Sequence, residues 1–231
     1  DGQNSFVTFN EGVKIEGNGG LKLSGVTLDF TTDFNFDSDG TLTLDSVFVG
    51  GFNDPTVTIG EDFTVASDFT GIDLPEFGMD SLRIVNRGTI DGEDLVIDPL
   101  GLGRDPEPGL INRGLITGSS YLEDAHVDNA GGVIEGAWIA GSTIRGGIVR
   151  NATVTSFFNG QFFGLDVDEF ATRLEDVTIE GSIDVESDVE LTLAGDLVNN
   201  ASTFINDNVF LVIDGSVRLS GTGSLDLDGF F

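Results

Sequence analysis

Hydrophobic and polar residues alternate in short runs along most of the chain. Examples are Phe6-Val7-Thr8-Phe9, Leu21-Lys22-Leu23, Leu42-Thr43-Leu44, Val57-Thr58-Ile59, Val177-Thr178-Ile179 and Leu225-Asp226-Leu227. Each run turns one apolar face inward over three to five residues, the pattern of a short half-buried strand. Gly, Asn or Asp stands at almost every break, and these residues accept the positive φ that tight corners demand. Runs of Ala, Leu, Glu and Lys are missing, and each of the 33 Gly would cost a helix about 1 kcal/mol. The pattern predicts an all-β chain of short strands and sharp corners.

Three repeats choose among the all-β architectures. An Asn-Gly unit recurs as Val85-Asn86-Arg87-Gly88, Ile111-Asn112-Arg113-Gly114 and Val127-Asp128-Asn129-Ala130-Gly131-Gly132, with looser echoes at Asn151 and Asn200. The steps from Asn86 to Asn112, to Asn129 and to Asn151 are 26, 17 and 22 residues, around the roughly 20–25 residues of one β-helix coil. A second repeat has a period of five: Ile134, Ile139, Ile144, Val149 and Val154, with Gly136, Gly141 and Gly146 in step. That period fits neither a helix nor a flat strand; it fits a coil with very short sides, one apolar residue per side pointing inward. The third repeat joins the ends. Val13-Lys14-Ile15 and Leu21-Lys22-Leu23 align with Val217-Arg218-Leu219 and Leu225-Asp226-Leu227 at a constant offset of 204 residues.

Together these predict a right-handed parallel β-helix (β-solenoid) of roughly nine to ten coils, the hand following the rule for parallel crossovers. A single coil cannot bury its apolar face, so coils stack at ~4.8 Å into a rod of ~45 Å with one continuous core. Asn residues recurring at one corner would form a hydrogen-bonded ladder. We expect one elongated domain over residues 1–231. Within it, the Pro-rich segment 98–109 reads as a loop insertion, and 121–155 as a pentapeptide-like stretch.

The Asn-x-Gly-x-Ile-x-Gly units, with Leu174-Glu175-Asp176-Val177-Thr178-Ile179-Glu180-Gly181 and the 212–221 segment, resemble the β-solenoid repeats of bacterial haemagglutinin-like and autotransporter-like surface proteins. The resemblance implies an extracellular adhesin, matrix fibre or spacer. The Phe pairs 157–158, 162–163 and 230–231 depart from its usual polar turns.

Charge narrows the partners. Forty Asp and Glu against ten Lys and Arg give a net charge of −30, which excludes nucleic acid and anionic membrane surfaces, both of which need clustered cations. At 39% hydrophobic residues with 19 Phe, the chain still holds enough apolar area for a core. There is no Cys and a single His, His126, so thiolate and His-rich metal sites drop out. No stretch approaches the ~18 apolar residues of a membrane helix. Asp1-Gly2-Gln3-Asn4 lacks the basic and apolar regions of a signal peptide, so a secreted chain would be read here in mature or excised form.

One ligand motif stands out. Asn35-x-Asp37-x-Asp39-Gly40 matches the start of a Ca²⁺ loop, in which alternate oxygen ligands converge. The twelfth position is Ser46 rather than Glu, with Asp45 beside it. The expected metal set is therefore Asn35, Asp37, Asp39 and Asp45, against an acidic β-turn. Catalysis has little to stand on: carboxylate pairs are too plentiful to single one out, and Arg83, Arg87 and Arg113 read as partners of surface acids. Tyr121 and Trp138 are single aromatics in the sequence.

The terminal repeat and the apolar end suggest a structural role. The expected assembly interface is Val13, Ile15, Leu21 and Leu23 on one end and Leu225, Leu227, Phe230 and Phe231 on the other. Such a contact is head-to-tail and does not close, so it builds a filament. The expectation is an extracellular, cation-stabilised homo-oligomeric fibre, with Ca²⁺ as the candidate cation and extracellular polysaccharide as a further candidate partner. The alternative is a glycan-binding adhesin segment; a polysaccharide-active β-helix enzyme and an acidic DNA mimic of the pentapeptide-repeat kind rank below both.

Overall fold

A computed structural model describes residues 5–9, 19–51, 55–67, 76–79, 82–92, 95–97, 109–123, 125–140, 142–155, 165–167, 171–185, 190–205 and 209–227. These residues form strands and no helix. The strands pair in parallel with the strand one coil earlier and one coil later, which makes the chain a β-solenoid.

The chain winds through three faces in turn. The first face begins with Gly20–Ser24, Thr41–Asp45 and Thr64–Ser67, and the second with Ser5–Phe9, Val26–Phe30 and Phe48–Gly51. The third is a ten-stranded sheet running from Phe34–Phe36 to Ser224–Leu227. The first two faces join into one 19-stranded sheet, because Glu190–Asn199 and Phe210–Ser220 pass through the corner between them without a break.

Alternation does in the structure what it does in the sequence. On the first face the inward positions align as Leu21, Leu42, Val65, Ile90, Ile116, Ile134, Val149, Leu174, Leu193 and Ile213. From Leu42 to Leu174 none is more than 2% exposed. Burial of each aliphatic side chain contributes about 1.5–3 kcal/mol, and no coil achieves it without its neighbours. Near the start of the rod the lumen is aromatic: Phe36 stacks on Phe63 at 4.6 Å, and Phe34 meets Phe36 edge-on at 4.9 Å.

The period of five resolves into three sides. Ile134 lies on the first face, Ile139 on the second and Ile144 on the third. Val149 then stands opposite Ile134 and Val154 opposite Ile139. Five residues make one side and three sides one coil, so Arg150 pairs with Glu135 at a separation of 15 residues. The cross-section here is triangular, unlike the square solenoid of the pentapeptide-repeat proteins. Elsewhere the coil lengthens, to 17 residues between Asn112 and Asn129 and 26 between Asn86 and Asn112.

Two corners have distinct chemistry. Between the first and second faces one left-handed residue recurs, with φ between 50° and 79°, at Gly25, Ser46, Gly118, Gly136, Asn151, Asp176, Gly195 and Gly215. Asn151 therefore belongs to this corner and not to the Asn repeat. Between the third and first faces Asn86, Asn112 and Asn129 are fully buried and bonded to one another, the ladder their spacing predicts. Gly88 follows there because a Cβ would overlap Gly60 O and Phe63 O of the coil before it. The second echo is displaced by one residue. Asn199 is buried and donates to Ser224 O at 2.9 Å, at the corner between second and third faces, whereas Asn200 is exposed.

The segment 98–108, which carries most of the expected loop insertion, lies outside the described residues. The strands flanking it, Val96–Ile97 and Leu110–Asn112, keep their pairing to the coils on both sides.

Candidate functional site

The four residues of the calcium motif occupy different surroundings. Phe34-Asn35-Phe36 is a strand of the third face, with both Phe buried and Asn35 exposed. Asp37 and Asp39 are exposed in the turn that follows. Asp45 lies at the far end of the next strand, on the first face, and is 7% exposed. Its carboxylate accepts from Ser24 Oγ at 3.0 Å and lies 3.9 Å from Lys22 Nζ. Among the described residues no three or more Asp, Glu or His side chains are placed to hold one metal ion.

Asp37 instead contributes to an open cleft of about 280 Å³ with Ser38, Thr58, Gly60, Glu61, Asp62 and Arg87. Three successive turns of the corner between third and first faces build it. Arg87 and Arg113 hold equivalent places after Asn86 and Asn112, yet they differ in what the next coil offers. Arg113 forms a bidentate pair with Asp128 at 2.9 and 2.6 Å. The residue in register with Asp128 one coil earlier is Ile111, so Arg87 has no acid at that place and borders the acidic cleft.

Other basic residues are tied to acids along the rod. Arg150 reaches Glu135 at 2.7 Å, and Arg173 bridges Glu175 at 2.9 Å and Asp214 at 2.7 Å. The hydrogen bond from Arg150, its charge and the amide of Asn151 hold the Glu135 carboxyl below its ordinary value against partial desolvation. The same contacts raise the guanidinium of Arg150, and Glu175 with Asp214 raises that of Arg173. The Arg150–Glu135 pair staples neighbouring coils, Arg173–Glu175 lies along one strand, and Arg173–Asp214 reaches across two coils. Backbone register sets His126 opposite Thr143 on the third face.

The ends of the solenoid differ from its middle. Leu21 and Leu23 are half-buried and pack against the core, as does Leu225. Val13, Ile15, Phe230 and Phe231 lie outside the described residues; Leu227 is placed by its backbone, in register with Ile205. The sequence repeat equates Leu21 with Leu225, but the structure puts Leu21 on the first face and Leu225 on the third. The far-end residue in the Leu21 row is Ile213. Around it the last strand of the large sheet exposes Phe210 at 71%, Ile213 at 54% and Leu219 at 52%. Ile213 and Leu219 are inward positions in register with the buried Leu193 and Leu197, whereas Phe210 is an outward one in register with the exposed Glu190. The exposure of the first two had no signal in the sequence, because inward positions look alike whether or not a further coil covers them.

A second feature appears only on folding. Tyr121 and Trp138, 17 positions apart, stand opposite each other in the outward row of the second face. Their ring centroids are 6.2 Å apart with the planes inclined by 24°.

No family model, no curated protein and no solved structure matches the chain.

Proposed function

We propose that this chain is an extracellular structural protein that stacks end to end, as a subunit or repeat unit of a surface or matrix fibre of the haemagglutinin-like and autotransporter-like kind. The observation that carries the reading is the exposed apolar side chains of the last described coil. Leu193 is 8% exposed beneath its neighbour, whereas Ile213, one coil further in the same row, is 54% exposed. Among the described strands Phe210–Ser220 pairs on one side only, with Glu190–Asn199, and its other side is a row of backbone donors and acceptors that templates another strand. A coil of the same three-sided section covers such an end, and a second copy supplies one.

Continuous stacking sets the rotation between copies. After Ser224–Leu227 on the third face, the strand next in line for cover is the first-face half of Phe210–Ser220. The first described strand, Ser5–Phe9, lies on the second face. A rotation by one face, a third of a turn, places Ser5–Phe9 over that half and Gly20–Ser24 over Ser224–Leu227. Leu21 then meets Leu225 and Leu23 meets Leu227, the equivalence drawn by the 204-residue sequence repeat. The contact is heterologous and does not close on itself, so it propagates.

At −30 per subunit, stacked copies repel one another unless counter-ions gather on their flanks. Divalent cations such as Ca²⁺, held diffusely by exposed carboxylates including Asp37 and Asp39, are the partners that relieve this.

Electron microscopy of the purified chain in millimolar calcium, beside a chelated control, tests the reading. Filaments with an axial repeat near ~45–50 Å, set by ~4.8 Å per coil, are expected in calcium, and short rods after chelation. Leu219→Asp, which puts a charge into the uncovered row, should leave rods in both. Monodisperse rods of the parent chain in both samples would overturn end-to-end assembly.

A further inference from the structure

We infer that the Tyr121–Trp138 pair is a stacking platform for the pyranose ring of a neutral glycan. This goes beyond the fibre reading and does not depend on it.

The geometry of the pair is the first argument. Two rings in direct face contact sit about 3.5–4 Å apart, so centroids at 6.2 Å with planes 24° apart imply a sideways slip of about 5 Å. Each ring therefore leaves much of one face uncovered by the other. Trp138 is 39% exposed between Ala137 and Ile139, both fully buried, and Tyr121 is half-buried between Ser120 and Leu122, also fully buried. The strand backbone thus fixes both rings on the outside of a rigid sheet. A π face carries partial negative charge and attracts the weakly positive C–H groups on the flat side of a sugar ring.

The row in which the pair sits is the second argument. Val96, Tyr121, Trp138, Thr153, Thr178 and Val198 follow one another on the second face without a charged residue, the row meeting its first acid at Glu76, one coil before Val96. The first face has an uncharged outward row as well, Thr41, Thr64, Thr89, Leu115, Val133 and Ile148, but no aromatic ring stands in it. The first face alternates Glu135, Arg150 and Glu175 in register, and the third sets Asp166 opposite Asp184. Thr153 and Thr178, half-buried below Trp138, offer hydroxyls that donate to and accept from sugar hydroxyls. Beside the pair stands Glu123, with Ala140 and Thr155 in register with it. A neutral polysaccharide lying along the rod meets aromatic faces first and hydroxyls next, whereas a polyuronate meets the repulsion of the whole acidic rod.

The chain has one Trp and one Tyr, so its Trp emission reports on this pair alone. Emission is followed on the Leu219→Asp background, to separate binding from assembly, while cellohexaose, maltohexaose or hexaguluronate is added at one ionic strength. A saturable change is expected with at least one neutral hexasaccharide, and at least tenfold weaker binding of hexaguluronate. Tyr121→Ala should weaken the neutral interaction at least tenfold, with Tyr121→Phe restoring it. Affinity electrophoresis through gels containing hydroxyethyl cellulose or starch extends the test to Trp138→Ala, whose mobility should become insensitive to the polymer. Circular dichroism of each variant checks that the rod is intact. The inference is overturned by the absence of a saturable response to both neutral sugars up to about 10 mM. Tyr121→Ala binding as the parent does, or hexaguluronate matching the neutral sugars, overturns it equally.

Discussion

Asn86 Nδ2 donates to Asn112 Oδ1 at 2.8 Å across 26 residues of chain. Asn112 passes the pattern on, donating to Asn129 Oδ1 at 2.7 Å, and Asn129 Nδ2 ends it on Gly146 O at 3.1 Å. Every amide points the same way, so the dipoles add and each bond polarises the next. The second Nδ2 hydrogen of Asn86 and of Asn112 reaches the carbonyl of Leu115 and of Val133, respectively. The ladder thereby joins the corner of each coil to the first strand of the next.

Asn112→Leu keeps the volume and removes both links. Asn129 Oδ1 then loses its side-chain donor inside the core, a loss of about 1–3 kcal/mol. Urea unfolding should show a midpoint lowered by that free energy divided by the slope, with the slope itself unchanged. Asn200→Leu, at an exposed position of a similar sequence motif, should stay within about 0.5 kcal/mol of the parent. Equal losses at the two positions would remove the ladder from the account.

At the other end of the ladder Asn86 Oδ1 is buried with no hydrogen-bond partner, and the residue in register with Asn86 one coil earlier is Ile59. Ile59→Asn should supply the missing donor and offset part of the lost apolar burial. Ile84→Asn, two residues before Asn86 in the middle of the same face, has no such partner to gain. Thermal unfolding should rank Ile84→Asn below Ile59→Asn by several degrees, as expected for a difference of about 1–2 kcal/mol in a chain of this size. The reverse order would mean that the aromatic lumen around Ile59 matters more than the open acceptor.

The strand faces, the period-five stretch and the Asn ladder were legible because each depends on local alternation or on one corner recurring. Register was not. Coils vary from 15 to 29 residues between partners, and that variation hid Tyr121 opposite Trp138, and Asp45 beside Lys22 instead of Asn35. Asn151 and Asn200 misled for a related reason: Asn suits a left-handed corner, a turn surface and a buried ladder alike, and only the neighbouring coil decides. The 204-residue repeat was real in sequence yet joined strands on different faces. It becomes geometrically useful only when a rotation by one face is allowed.

Gly88→Ala tests how tightly the corners are packed. The new Cβ would run into Gly60 O and Phe63 O, backbone atoms that cannot move without pulling apart the hydrogen bonds they accept from Phe63 N and Thr89 N, respectively. The loss should exceed ~3 kcal/mol. Gly215→Ala meets nothing within 4 Å and carries only the cost of φ +73°, about 1–2 kcal/mol. Differential scanning calorimetry should therefore separate the two widely; a small effect at Gly88 would mean that the corner can open.

The pair of Glu135 and Arg150 gives the solenoid a defined response to acid. Arg150 donates to Glu135 Oε2 at 2.7 Å and lowers the carboxyl below its ordinary value of 4.5. A carboxyl lowered by folding stabilises the native state above its unfolded value, and that contribution disappears as pH falls through the folded value. Glu135→Gln should therefore melt below the parent at pH 7, and the gap should narrow on acidification below pH 4.5 and vanish once both proteins are neutral at this position. Because the pair is exposed to solvent, added salt at pH 7 should shrink the same gap. A gap that persists unchanged at pH 2 would place the effect in packing between the coils and not in the charge of Glu135.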